Sequence, residues 1–260
     1  QSTWSNYTTR IYQSTDRILE LLDEKNIRGT FFILGWIAEK YPDVIKSIYK
    51  QGHEIGCHSY YHDLVHRMKP DDFLKDTEKG IKLLEDITGE KIIIYRAPGF
   101  SINENTPWAF EILYKLGIEI DCSVFPAKHD YGGFPEFGES KPARIRFNGL
   151  EMKEFPMNTH KLLNTEIVFT GGGFFRFFSY GIIKKWTKDS SYVMSYFHPR
   201  DFDTEQPVLS HLPLARKFKS YYGLKGAFKK FDNWISDFKT LSLLEADKLT
   251  NWEETKIISV

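Results

Sequence analysis

Cysteine is scarce: Cys57 and Cys122 are the only two in 260 residues. Two thiols cannot build a disulfide framework, so burial must hold the fold together, and a reducing compartment, the cytoplasm, is the expected setting. No apolar run approaches the roughly 20 residues that a membrane-spanning helix needs. Net charge is absent as well, 35 basic against 35 acidic residues with pI ≈ 7.2. That balance removes the global electrostatic case for nucleic acid or an anionic membrane as partner. Internal repeats, low-complexity tracts and a compositional break that would mark a second domain are missing too. The chain therefore reads as a single domain over 1–260, long enough for a sizeable core, with 205–260 as a helical extension packed on it.

Aromatic residues are plentiful by contrast, 16% of the chain with 21 Phe and 14 Tyr. Such rings fill cores first and line carbohydrate sites second. Short apolar runs alternate with helical patterns through the first half. "TFFILG" (30–35), "HEIGC" (53–57), "KIIIY" (91–95) and "IEIDCS" (118–123) read as strands. Helices are expected between them, over 42–52 with Pro42 early, over 70–88 with Gly89 as stop, and over 106–117. An amphipathic helix built on Ile11, Ile18, Leu21 and Leu22 precedes the first strand. Repeated strand–helix units of this length imply parallel strands joined by crossovers, in a doubly wound sheet or a (β/α) barrel. The second half is less regular. Residues 126–150 read as a Gly- and Pro-bearing excursion, 180–188 as a helix and "YVMSYFHP" (192–199) as a strand.

Four reactive side chains fall at the C-terminal ends of these expected strands: His58 after "EIGC", Arg96 after "IIIY", Asp121 after "IEI" and His198 after "MSYF". Parallel α/β folds gather catalytic groups on that rim, so the placement argues for an enzyme. In "HSYYHDLVH", one helical turn would aim the imidazoles of His58 and His62 at a common metal ion. No Glu follows the first His, which excludes the H-E-x-x-H metalloprotease helix. His66 extends the series, as a third ligand or as a neighbour that steadies the pair. Arg96, in "YRAPGF", suits either the fixing of a carboxylate or a structural ion pair. Asp121 either orients an imidazole or caps the turn that follows it. His198, with Pro199 fixing the chain after it, is a candidate general acid.

Taken in order, "HSYYH", "YRAPGF", the strand ending at Asp121 and "FHP" resemble the motifs of NodB-type polysaccharide deacetylases, over about residues 10–240. "EFPMNT", "GGGFFR" and "FHPRDFD" further resemble a subgroup associated with exopolysaccharide and surface-polysaccharide biosynthesis, which carries a C-terminal extension. The resemblance implies a distorted (β/α) barrel and a divalent metal, zinc first and cobalt, nickel or manganese as alternatives. It makes His58 and His62 metal ligands, Arg96 the residue that orients the catalytic base, Asp121 the group that tunes the acid, and His198 the acid. A backbone N–H in the loop after Arg96 would help to polarise the acetamide of an N-acetylated sugar, the implied substrate.

One element of that pattern is missing. The family opens with a strand ending in paired acids, a base and a metal ligand, yet residues 1–9, "QSTWSNYTT", contain neither Asp nor Glu. Either the chain begins just after that first strand, as its lack of an initiating Met favours, or the protein is a catalytically silent binding relative. A hydrolase of another C–N amide is the remaining alternative. Finally, "RKFKSYYGLKGAFKKFDNWISDFK" (216–239) carries Leu224, Phe228, Phe231, Ile235 and Phe238 on one helical stripe among lysines. Such a stripe docks on its own domain or, less commonly, lies on a membrane surface.

Overall fold

The computed structural model describes residues 8–128, 132–163, 165–209 and 212–260. Most of the stretch read as lacking the first acid pair, residues 1–7, lies outside the described residues. The chain divides into two compact units: Arg28–Glu166 with Leu241–Val260, and Gln1–Ile27 with Ile167–Thr240. The segment 205–260 is shared between them, and it is not wholly helical, because it ends in a strand.

The described strands are β1 (Thr30–Ile33), β2 (Glu54–Cys57), β3 (Ile94–Tyr95), β4 (Ile120–Asp121), β5 (Ala143–Phe147), β6 (Leu150–Glu154), β7 (His160–Leu162), β8 (Thr165–Ile167) and β9 (Lys256–Ser259). Seven of them form the sheet of the first unit, in the order β1-β2-β3-β4-β6-β5-β9, while β7 and β8 pair separately. All neighbours in the large sheet run parallel except β5 and β6, so the expected α/β fold with a mostly parallel sheet is present. β5 and the turn of this antiparallel pair fall within the expected excursion of 126–150, and β6 runs on beyond it. The pair's two-residue turn is Asn148-Gly149, both with positive φ (45° and 78°), the mirror-image turn whose twist suits a tight hairpin.

Local chemistry sets the connecting helices. Pro70 occupies the first turn of the helix Pro70–Thr88, where no intrahelical N–H is needed, and Gly89 closes it at φ 76°. Its buried face, Phe73, Thr77, Gly80, Ile81 and Leu84, packs on the sheet side. The short helix Gly35–Lys40 comes so close that a Cβ on Gly35 would sit 2.9 Å from the Gly80 Cα and 2.6 Å from the Tyr60 ring. At the bottom of the sheet, Glu54 accepts from Ser242 Oγ (2.5 Å) and the Leu244 N–H (3.1 Å), while Thr30 Oγ1 accepts from the Leu243 N–H (3.0 Å). These bonds tie the last segment of the chain to the start of β1 and β2.

The second unit is helical, with Ile11–Glu24, Gly172–Phe177, Tyr180–Asp189, Leu214–Tyr221 and Leu224–Asp237. Phe197 stands at the centre of its aromatic core, 4.9 Å from Phe175 and 5.0 Å from Phe231 between ring centroids. The basic stripe docks as expected, since Leu224, Phe231 and Ile235 are buried. Residues 192–199 form no strand. They carry a single parallel bridge, Gly171 to Tyr196, and the Phe197 ring inserts into this core beside Phe175 and Trp234. No described helix is long and apolar enough to cross a membrane.

Candidate active site

Parallel register lines up the ends of four adjacent strands. Cys57 is level with Tyr95, Tyr95 with Asp121, and Asp121 with Glu154. The next residues along the first two strands are His58 and Arg96, one step beyond the level of Asp121 and Glu154, so all four lie at the C-terminal rim of the sheet.

His58 is fixed by its backbone, whose N–H donates to the Ile33 carbonyl (3.0 Å), and by its ring, whose Nδ1 lies 2.7 Å from the Arg96 carbonyl oxygen. A carbonyl can only accept, so Nδ1 carries the proton and Nε2 holds the lone pair. The His62 ring stands edge-on, 5.1 Å from His58 between centroids. The two are not on a helical turn: residues 58–64 are loop, and the four-residue spacing is closed by left-handed backbone at Ser59 (φ 62°) and His62 (φ 67°). Holding non-glycine residues there costs free energy, which neighbouring bonds must offset. Asp76 accepts from the N–H groups of Tyr60 (2.8 Å) and Tyr61 (3.2 Å), Ser59 Oγ accepts from the His62 N–H (3.0 Å), and the Ser59 carbonyl accepts from Gly35 (2.9 Å). The loop is thus clamped by two helices in the conformation that brings the imidazoles together.

Two adjacent imidazoles, one with Nδ1 bonded to a carbonyl, suit zinc or a similar divalent ion, in a site that needs further ligands. Among the described residues there is no group of three His, Cys, Asp or Glu that could hold a metal. His66 accordingly does not join His58 and His62 as a third member. It sits on the 3₁₀ turn Val65–Arg67, with its Nδ1 buried and without a hydrogen-bond partner. A cleft of about 500 Å³ opens beside His62, lined also by Asp63, Leu64, Arg67, Met68 and Asp72.

Arg96 is buried, its guanidinium 4.1 Å from the Phe32 ring centroid and its Nε donating to the Cys122 carbonyl (3.3 Å). In the loop after it, the Ala97 N–H donates to Ser123 Oγ (2.7 Å) and the Phe100 N–H to the Ala97 carbonyl (3.1 Å), so neither is the expected carbonyl-polarising donor. Ser123 Oγ in turn donates to Asp121 (2.6 Å), which also accepts from the Ser123 N–H (3.1 Å). Asp121 therefore caps the following turn and, through Ser123, steadies the loop that follows Arg96.

Glu154 is the residue that sequence reasoning missed. It is wholly buried, opposite Asp121 on β6; Oε1 accepts from the Val124 N–H (3.0 Å), and Oε2 is buried with no donor. Burial first, then the nearby Asp121 charge, pushes the Glu154 carboxyl well above its ordinary range, and burial raises Asp121 as well. Two buried carboxyls in register repel each other's charge, which favours the protonated form of Glu154, opposed by the Arg96 guanidinium. The signal was present in "EMKEF", an acid at an inward strand position, but its partner came only with the β4–β6 pairing.

Two thiols lie among these groups. Burial pushes the Cys57 thiol up to about 12 and the Cys122 thiol well above its normal value, although Arg96 opposes the second shift. Both are fully buried. In native protein neither should react with an aromatic disulfide reagent at pH 8, and both should react in denaturant; one fast thiol in the native state would contradict this burial.

His198 belongs to the helical unit. It caps the 3₁₀ turn Pro199–Phe202, its backbone N–H donating to Asp201 Oδ2 (2.9 Å) and its ring Nδ1 lying 3.4 Å from the same oxygen. Burial pushes the Asp201 carboxyl up, but His198 and the Arg176 guanidinium outweigh it and hold it below the usual carboxylate range. The His198 side chain is about half exposed, at 56%.

Comparison with known proteins bears on this arrangement. Residues 6–120 match the family model described as Polysaccharide deacetylase, and residues 122–246 match one described as Domain of unknown function (DUF3473). A peptidoglycan-N-acetylglucosamine deacetylase of Bacillus cereus is 36% identical over 98 residues, covering 37% of this chain and 36% of that protein. The peptidoglycan-N-acetylmuramic acid deacetylase PdaC of Bacillus subtilis is 32% identical over 91 residues, covering 35% and 20%. These matches support the polysaccharide deacetylase family. The fold agrees: a crystal structure from Mycobacterium smegmatis, provisionally named a polysaccharide deacetylase, superposes with a TM-score of 0.64 at 19% identity, over 95% of this chain and 80% of that one. The chain spans about a third of the length of the B. cereus deacetylase and a fifth of that of PdaC.

Proposed function

We propose that this protein is a metal-dependent deacetylase that hydrolyses the acetamide of an N-acetylated sugar in a bacterial surface polysaccharide or its precursor. The observation that carries the reading is the His58–His62 pair, edge-on on the sheet rim, with His58 Nδ1 bound to the Arg96 carbonyl. His58 and His62 would hold a divalent ion, zinc by donor type, with cobalt, nickel or manganese also compatible. When bound, such an ion supplies Lewis-acid polarisation of the acetamide carbonyl.

The chain's own residues do the rest. The Arg96 carbonyl keeps the His58 tautomer, and the buried Arg96 charge sits beside the row of rim residues, where it favours a carboxylate over a carboxylic acid. Asp121 and Ser123 hold the loop after Arg96 in place. The role of acid, protonating the departing amine, falls to His198 by resemblance to the family. The matches to peptidoglycan deacetylases support the sugar amide as substrate class, and the surface-polysaccharide subgroup is read from the resemblance of "EFPMNT", "GGGFFR" and "FHPRDFD".

Acetate release from oligomers of N-acetylglucosamine tests the reading. Turnover should be lost on dialysis against a chelator and restored by Zn²⁺ or Co²⁺. A protein that binds the ion yet releases no acetate from these or other acetamido sugars would instead be a carbohydrate-binding relative.

A further inference from the structure

The helix Leu214–Tyr221 is built the wrong way round for a core helix. Its sequence is strongly amphipathic, yet none of its described residues is buried. The apolar stripe, Leu214, Phe218 and then Tyr222 at four-residue spacing, faces solvent with exposures of 85%, 51% and 49%. Folding does not explain an exposed stripe, because a helix in a globular protein normally buries that face.

The stripe is held in place and enlarged by its neighbours. Arg176 donates from its guanidinium to the carbonyls of Lys219 (2.8 Å), Ser220 (3.1 Å) and Tyr222 (2.9 Å), locking the helix's C-terminal end. The adjacent Phe177, itself about half exposed, packs its ring 6.3 Å from Phe218 and 5.8 Å from Tyr222. Phe218 and Tyr222 stack at 4.6 Å. The outcome is a continuous ring surface flanked on the same helix by Arg216, Lys217 and Lys219.

The chemistry of the surroundings chooses among occupants. Neither 167–188 nor 207–231 contains a single Asp, Glu, Asn or Gln, in a chain whose overall charge is zero. A glycan platform needs such side chains for sugar hydroxyls, and aliphatic Leu214 offers a sugar ring nothing. Exposed rings and a Leu between cations, with no carboxylate among them, match the boundary of an anionic bilayer, where rings and aliphatics enter the acyl edge and cations meet phosphates.

We propose that the Leu214–Phe218–Tyr222 stripe with Phe177 is a docking face for an anionic lipid surface. It is distinct from the stripe of the following helix, whose Leu224, Phe231 and Ile235 are buried within the unit.

The test is co-sedimentation of the whole chain with vesicles of phosphatidylcholine alone or with 40% phosphatidylglycerol. Binding should appear on the anionic vesicles and weaken with salt. Lys217→Gln/Lys219→Gln should lower the partition coefficient about 20-fold, and Leu214→Ser/Phe218→Ser by at least about tenfold. All four side chains lie outside the core, so the thermal midpoint should stay within about 2 °C of wild type. Equal sedimentation with and without anionic vesicles, or undiminished binding by both double variants, overturns the proposal. So does a concentration-dependent dimer that Leu214→Ser/Phe218→Ser converts to monomer, which would assign the face to a second copy of the chain.

Discussion

Replacing His58 with Ala should weaken Zn²⁺ binding by more than about 100-fold, beyond what loss of a supporting contact costs. Deacetylation should fall by about a thousandfold, the equivalent of roughly 4 kcal/mol of lost polarisation. His58 combines two roles, since the lone pair on Nε2 is available only while Nδ1 donates to the Arg96 carbonyl. His66→Ala is the control, and it should leave both quantities unchanged. It also removes a buried Nδ1 that has no partner, so the fold should not suffer. Calorimetric titration with Zn²⁺ reads the affinity without reference to turnover. If His66→Ala matches His58→Ala, the pair on the rim is wrongly chosen.

The second large effect concerns Glu154 and depends on pH. Its folded carboxyl titrates well above an unfolded Glu, chiefly through burial. A raised group contributes its stability fully below the unfolded value, and loses it as pH climbs toward the folded value. Wild type should therefore lose stability over that interval by up to about 1.4 kcal/mol per pH unit for the one proton. Glu154→Gln keeps an acceptor for the Val124 N–H and a permanent donor toward Asp121, so its advantage over wild type should grow as pH rises. Glu154→Ala strips the acceptor from a buried N–H and opens a cavity, and should cost about 2–4 kcal/mol at any pH. Urea unfolding at several pH values separates the cases. Parallel curves for wild type and Glu154→Gln would mean that Glu154 is not protonated in the fold.

Much of the rim could be read from local sequence. "TFFI", "EIGC" and "IIIY" are short apolar runs closed by polar residues, so His58 and Arg96 could be placed at strand ends without knowing the strand order. The helix expected over 70–88 with Gly89 as its stop is found at Pro70–Thr88. What escaped the sequence is non-local or sits in unusual backbone. The β5–β6 hairpin was signalled by Asn148-Gly149 but hidden among other turn residues. The loop at 58–62 mimics helical spacing while using left-handed residues that bonds from Asp76, Ser59 and Gly35 help to sustain. Residues 192–199 alternate like a strand, yet Phe197 serves an aromatic cluster and not a ladder. The Asp121–Glu154 pair needed the register of two strands far apart in sequence.

The interleaving of the two units has a consequence for biosynthesis. β9 pairs with β5 through Ala143 opposite Lys256, and Ser242 to Leu244 tie down Thr30 and Glu54. On the ribosome, β5 is therefore an open edge, and the polar starts of β1 and β2 lack their partners, throughout translation of the intervening helical unit. The sheet cannot close its last pairing until the intervening helical unit has been synthesised, so β5 waits for a partner more than a hundred residues downstream. Until then the nascent chain offers a strand edge to other molecules, which makes early chaperone binding, or aggregation without it, a built-in feature of this topology.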